Sequence, residues 1–380
     1  MVLGHDPRGA GHGAGSRALH HAPRAARERE ARMRLERSFF VHLGLLVVAA
    51  LSAVLVWTRD EKAAALSVAD VTVWAGRADD VERIAFEGKS KSVVLEAKKD
   101  KEGRYFVGTA ERKTTPPAEK PKDPHQNPDD AAQDDEPPAE PEPTVKTTTF
   151  VSVAAGNKLA EAIAPLKALR AIGRIADDRA AEFGLAEPEG TLTVKLRGAE
   201  RKLVLGGATP GGADRYARDE ATGEVYAIKG DIYRDLDTAE SRLLERDLHE
   251  WKDVDLARAR VITGDKRREV VRSGDEGKKF WADPASPEQN DETVGNWMSK
   301  LDRLRPTEYV AAAPEQKEVV VRIEYTGRSG DIGFAELVKG PPGASGKPDY
   351  FLVTERTRLY GKVPVGVAEQ VEQDVGAVVK

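Results

Sequence analysis

From Phe39 to Trp57 the chain runs through 19 positions (FFVHLGLLVVAALSAVLVW) without an Asp, Glu, Lys or Arg. As a helix rising about 1.5 Å per residue this run reaches roughly 28 Å, close to the roughly 30 Å hydrocarbon core of a bilayer. It predicts a single transmembrane helix, anchored by Phe39, Phe40, Leu45, Leu46, Val54, Leu55 and Trp57. Arg24, Arg27, Arg29, Arg32, Arg34 and Arg37 precede it, which places the N-terminus in the cytoplasm and residues 60–380 outside. A cleavable signal is the rival reading, because Ala63, Ala64 and Ala65 follow. The run is too long for a signal's apolar stretch, however, and Arg59, Asp60, Glu61 and Lys62 intervene. Residues 1–38 have no apolar period and read as a disordered basic tail, within which Met33 opens a second complete basic lead-in.

After the apolar run the hydropathy alternates, and the alternation repeats. Asp80, Val81, Glu82, Arg83 and Ile84 open a strand-like stretch that closes on Gly103, Arg104, Tyr105, Phe106 and Val107. Asp253, Val254 and Asp255 open a second, which closes on Gly277, Lys278, Lys279, Phe280 and Trp281. A helical spacing follows each: Leu159, Ile163, Leu166 and Leu169, then Val294, Trp297, Met298, Leu301 and Leu304. PLKALR at 165–170 matches KLDRLR at 300–305, residues 191–196 parallel 319–323, and Tyr216 to Ile228 parallels Tyr350 to Lys362. Pro165 should end the first helix near Ala164 and make it the shorter of the two. The predicted class is α+β: a transmembrane helix, then two repeated, mainly antiparallel sheet-plus-helix units at 70–245 and 250–378. The first unit is interrupted at 113–144 by a Pro-, Asp-, Glu- and Lys-rich insertion too poor in large apolar residues to fold.

Composition narrows the chemistry. With 59 basic and 64 acidic residues the net charge is -5, and the basic residues concentrate only beside the apolar run, so no nucleic-acid footprint exists. The absence of cysteine excludes thiol catalysis, thiolate metal sites and a lipid-modified cysteine. Gly88, Lys89 and Ser90 lack the upstream glycine of a phosphate loop, since Arg83 stands there. Gly206, Gly207, Ala208, Thr209, Pro210, Gly211 and Gly212 lie between two strand patterns, which makes a hairpin loop and, at Gly206, Gly207, Thr209, Pro210, Gly211 and Gly212, a candidate interaction loop. Of seven histidines only His249 belongs to the body, and beside Asp247 and Glu250 it reads as a surface residue. Trp74, Trp251, Trp281 and Trp297 fit core positions better than a glycan platform. No residue is assigned as catalytic, cofactor-binding or metal-ligating, and no cofactor is expected.

One order of motifs is more specific than its parts. Val73 and Trp74 lead to residues 81–84; then come Phe183-Gly184-Leu185-Ala186-Glu187-Pro188, the strand 191–196, Leu205-Gly206-Gly207 and the pair Tyr216-Ala217-Arg218 and Val225-Tyr226. Together they resemble the bacterial domain of unknown function 4340 family over nearly all of the chain beyond the apolar run. The Phe-Gly-Leu-x-x-Pro motif reads as a helix end whose glycine lies past the last turn. The resemblance implies a single-pass protein of the bacterial inner membrane with a periplasmic body, encoded near ABC-type transport components of the gliding-motility kind. Three functions follow as expectations. The first is a non-enzymatic accessory or scaffold protein partnered with an ABC-type permease or other envelope protein. The second is an envelope glycan- or peptide-binding module, and the third a carboxylate-dependent hydrolase.

Overall fold

The computed structural model describes residues 45–49, 52–53, 71–114, 144–275, 277–343 and 346–380. Of the expected anchor, residues 45–49 and 52–53 are helical, with Leu45 and Leu46 exposed. Phe39, Phe40, Val54, Leu55 and Trp57 lie outside the described residues, as do the basic tail and residues 115–143 of the insertion. No helix among the described residues is long and apolar enough to cross a membrane.

The N-terminal half of the body contains β1 (Val71–Trp74), β2 (Val81–Gly88), β3 (Lys91–Asp100), β4 (Gly103–Thr114), β5 (Thr144–Ser152), α1 (Ala154–Ile163) and β6 (Leu166–Arg174). It continues through β7 (Gly190–Leu196), β8 (Ala199–Ala208), β9 (Arg215–Asp219), β10 (Glu224–Ile228), α2 (Gly230–Asp237) and α3 (Ala239–Arg242). The C-terminal half contains β11 (Leu256–Thr263), β12 (Lys266–Ser273), β13 (Phe280–Ala282), α4 (Glu292–Leu301), β14 (Glu308–Val310), β15 (Glu318–Gly327), β16 (Gly330–Pro342), β17 (Pro348–Thr354), β18 (Tyr360–Val363) and α5 (Val365–Val378).

The expected α+β arrangement of an anchor helix and two sheet-plus-helix units is corrected by these elements. Residues 69–380 form one compact unit. Strands carry it: every strand pairing is antiparallel, and the longest described helix has only 14 residues. In the N-terminal half the strands pair in the order β5-β4-β3-β2-β7-β8-β9-β10-β6-β1. In the C-terminal half the order is β13-β12-β11-β15-β16-β17-β18-β14. Element for element, β4-β3-β2-β7-β8-β9-β10-β6 and the second series follow the same path. The two series then join edge to edge where Tyr309 of β14 pairs with Thr149 of β5.

Burial of the connection explains why the halves do not part. Leu243, Leu244 and Leu248 are buried, and Glu245, only 7% exposed, is held on three sides. Its N–H donates to Val151 O at 2.7 Å, the Tyr309 hydroxyl donates to its carbonyl at 2.8 Å, and Arg356 meets its carboxylate at 3.0 Å. Arg358 reaches Asp100 of the β3–β4 hairpin at 3.0 Å and Glu250 at 3.1 Å. Charges this shielded are costly to leave unpaired, by several kcal/mol each, so separating the halves is disfavoured.

Two local expectations also change. α1 and α4 are both ten residues long, because Pro165 lies beyond the last turn of α1 rather than inside it. Leu166 and Leu169 belong to β6, so PLKALR is strand while KLDRLR ends α4 and enters the following turn. The insertion is narrower than expected: Lys113 pairs with Val145 and Thr114 with Thr144, extending the β4–β5 ladder.

Candidate functional site

α1 and α4 bury the same four positions. Gly156, Leu159, Ala160 and Ile163 face the core in the first, Val294, Trp297, Met298 and Leu301 in the second. The shared spacing places Asn157 opposite Gly295, and that single exchange divides the two halves.

In the N-terminal half the space between α1, β4 and the β1–β2 connection is filled. Arg104 donates from Nε to Asn157 Oδ1 at 2.8 Å and from Nη1 to the Ala78 carbonyl. The Asn157 amide returns a hydrogen bond to Arg104 O at 3.0 Å. The Trp74 indole N–H donates to Ile163 O at 2.9 Å, at the end of the same helix. Arg104 and Asn157 thus satisfy one another across this space.

In the C-terminal half the corresponding space is a cavity of about 720 Å³, walled by α4, β13, the β12 side chain Arg272 and residues 247–253. A Cβ built on Gly295 meets no atom within 4 Å. Phe280, Trp281, His249, Trp251, Tyr325 and Asp302 are among its lining residues. The His249 and Trp251 rings stack with centroids 4.3 Å apart, and Tyr325 stands edge-on to His249 at 4.8 Å.

His249 is therefore not the surface residue expected from its charged neighbours. Its side chain is 11% exposed and its Nδ1 lies 3.0 Å from Glu355 Oε1. Glu355 also accepts from the backbone N–H groups of Glu250 at 3.2 Å and Phe334 at 3.0 Å. That carboxyl fits because residue 333 is glycine: a Cβ there would lie 2.4 Å from the Glu355 carboxyl carbon. With Glu355 accepting at Nδ1, the proton of a neutral ring sits on Nδ1 and Nε2 becomes an acceptor. His249 Nε2 and Trp251 Nε1 are both buried without a partner, in contrast to the satisfied Trp74.

Two ionisable groups on this wall are displaced from their ordinary behaviour. Asp302 is exposed where it borders the cavity, and the protein gathered around it pushes its carboxyl above the usual carboxylate range against the opposing pull of His249, Arg305 and Arg272. The Tyr325 hydroxyl is raised well above its usual value, first by burial and then by the nearby Asp302 and Glu355 charges. It stays a neutral donor throughout the physiological range.

The residues singled out from sequence fall elsewhere. Gly206 and Gly207 lie in β8, pressed against the end of the seven-residue 3-10 helix Asp177–Phe183. Gly184 ends that helix at φ 65 in the left-handed region, as the Phe-Gly-Leu motif implies, and a Cβ on it would lie 2.4 Å from Gly207 N. Thr209, Pro210, Gly211 and Gly212 form the β8–β9 turn, closed by Thr209 N–H to Asp214 O at 2.9 Å, and none of them lines the cavity. Trp74, Trp281 and Trp297 are buried, as their patterns imply, while Trp251 is half-buried on the cavity wall. Among the described residues no group of three or more His, Asp or Glu is placed to hold a metal ion. The sequence carried one unused signal for the site, a glycine in the middle of an amphipathic helix where the first copy has asparagine. Glu355, 106 positions from His249, had none.

Set beside known proteins, residues 151–320 match the model of the family described as Domain of unknown function (DUF4340), a span from the end of β5 through the joint and α4 into β15. No curated protein and no solved structure matches the chain.

Proposed function

For a chain that belongs to the DUF4340 family over residues 151–320, we propose a non-enzymatic binding protein of the bacterial envelope, in which the cavity of the C-terminal half receives its ligand. The observation that carries this reading is the difference between the paired helix mouths. One fold element is plugged by Arg104 and Asn157 in the first copy and open beside Gly295 in the second. An opening walled by aromatic side chains, with a few convergent polar groups and perturbed titrating residues, is the usual form of a ligand site.

The charge-free run at 39–57 supports tethering at the inner membrane with the body in the periplasm. An ABC-type permease, or another envelope protein, is the partner that the family resemblance implies. A carboxylate-dependent hydrolase is the second reading, and Asp302 favours it: a carboxyl held above its ordinary range lines the same cavity as His249.

Complementation of a deletion strain tests the binding reading. Full-length Gly295→Asn, which places the first half's asparagine at the cavity, should accumulate normally and fail to complement. A chain starting at Arg59 should also fail, because the tether supplies effective concentration at the membrane. Full complementation by Gly295→Asn would defeat the cavity reading, and full activity of the untethered body would defeat the tether. Loss of complementation in Asp302→Asn with ligand binding retained would favour the hydrolase.

A further inference from the structure

We infer that the cavity of the C-terminal half takes a neutral saccharide, gripping a hydroxyl group with His249 and Trp251. This assignment rests on the cavity being the binding site and adds the ligand's chemistry. The two unpartnered nitrogens demand opposite things. Trp251 Nε1–H is a donor only, whereas His249 Nε2 is an acceptor once Nδ1–H is given to Glu355. A hydroxyl supplies both, accepting from the indole and donating to the imidazole, and adjacent hydroxyls on a sugar ring do so with the spacing of neighbouring carbons.

Three further features point the same way. Phe280, Trp281 and the stacked His249–Trp251 pair give apolar walls suited to the C–H faces of a pyranose. Asn290 and Asn296 line the cavity with side-chain amides that donate and accept. Four carboxylates on the lining, Asp247, Glu250, Asp253 and Asp302, are balanced by four cations. Asp253 is already tied to Arg272 at 3.0 Å, so the cavity has no net field to select a strongly charged ligand. Its volume of about 720 Å³ falls inside the range of small-molecule sites and is roomy enough for more than one sugar ring.

Glu355 is a positioning residue in this scheme. Its bonds to two backbone N–H groups fix the carboxyl, and the carboxyl fixes which imidazole nitrogen is left as the unpartnered acceptor.

Calorimetric titration of the full-length protein with chitobiose and with maltose, each beside a neutral tripeptide, tests the assignment. At least one disaccharide should bind and the tripeptide should not. Trp251→Phe, which keeps the ring and removes the N–H, should weaken binding by about tenfold, the loss of one hydrogen bond. Gly295→Asn should weaken it, and Glu355→Gln, which keeps an acceptor for the imidazole N–H, should retain more affinity than Glu355→Ala while the fold persists in both. Tripeptide binding in place of sugar would overturn the saccharide class. If neither disaccharide binds but Gly295→Asn still fails to complement, the cavity stands as a binding site and the saccharide assignment falls. If neither binds and Gly295→Asn complements fully, both fall.

Discussion

The two halves of the body share a strand path and a ten-residue helix, yet they hold that helix in different ways. α1 begins at Val153 without a side-chain cap, and its first turn is fastened by the Arg104–Asn157 exchange. α4 begins at Asp291, whose carboxylate accepts from the Val294 N–H at 3.0 Å and pairs with Arg268 at 2.8 Å. Its far side is fastened to α5 by the Trp297 indole donating to Val371 O at 3.0 Å. The second helix thus has a cap and a clasp that leave its cavity-facing turn free of structural duty. Across the two halves the apolar framework fixes the path of the chain, whereas the polar fastening of each element can move. Where it moves away, space opens for a ligand.

The largest expected effect breaks the framework that both halves share. Trp297→Ala removes a side chain 2% exposed and should cost about 3–5 kcal/mol. Leu159→Ala, at the matching position of α1, should cost about 2–5 kcal/mol. In urea each variant should still unfold in one transition by both fluorescence and circular dichroism, since the buried joint at Glu245 makes the halves one unit. Two separated transitions would show that the halves fold independently.

Exchanging the plug gives a smaller and asymmetric effect. Asn157→Gly loses two side-chain hydrogen bonds and adds a helical glycine, a cost of about 2–3 kcal/mol. Gly295→Asn adds a side chain where no atom lies within 4 Å, and better helix propensity should leave stability within about 0.5 kcal/mol of the parent or slightly above. Equal and opposite changes in the two denaturation midpoints would mean that the mouths are equivalent and the contrast has no functional content.

Removing the cap sharpens the comparison through pH. Burial opposes ionisation of Asp291, but the Val294 N–H and Arg268 outweigh it and hold the carboxyl below its ordinary range. A lowered folded value gives stability that is present above the unfolded value near 3.9 and lost as the pH falls through the folded one. Asp291→Ala should therefore cost about 1 kcal/mol at neutral pH, and the difference from the parent should shrink below about pH 4. A difference that persists unchanged into acid would assign the effect to packing rather than to the charged cap.

Much of the strand framework was legible in sequence, because alternation marks strands wherever one face is buried: Leu192, Val194 and Leu196 point inward in β7, as Val321 and Ile323 do in β15. The paired Tyr-containing hairpins were legible for the same reason. PLKALR misled because its leucines suit a helix, a strand or a buried turn, and the break at Pro165 decides only where the first helix stops. The joining of the halves was hidden, since it depends on Tyr309 meeting Thr149 and Arg358 meeting Asp100, 258 positions apart. The site was hidden for a related reason. His249 sits among charges in sequence, and only the return of β17 brings Glu355 to it and turns a surface-like segment into a cavity wall.

Indole hydrogen exchange tests the central contrast most directly, with Trp74, Trp251 and Trp297 assigned by single Trp→Phe variants and followed by nuclear magnetic resonance. The Trp74 and Trp297 indole protons, bonded to Ile163 O and Val371 O, should exchange only through opening of the fold. The Trp251 indole proton, buried without a partner on a residue that lines the cavity, should exchange faster than either and be the one shifted when a ligand is added. A Trp251 proton as protected as that of Trp74 in the free protein would show that the second mouth is closed like the first, and would contradict the account.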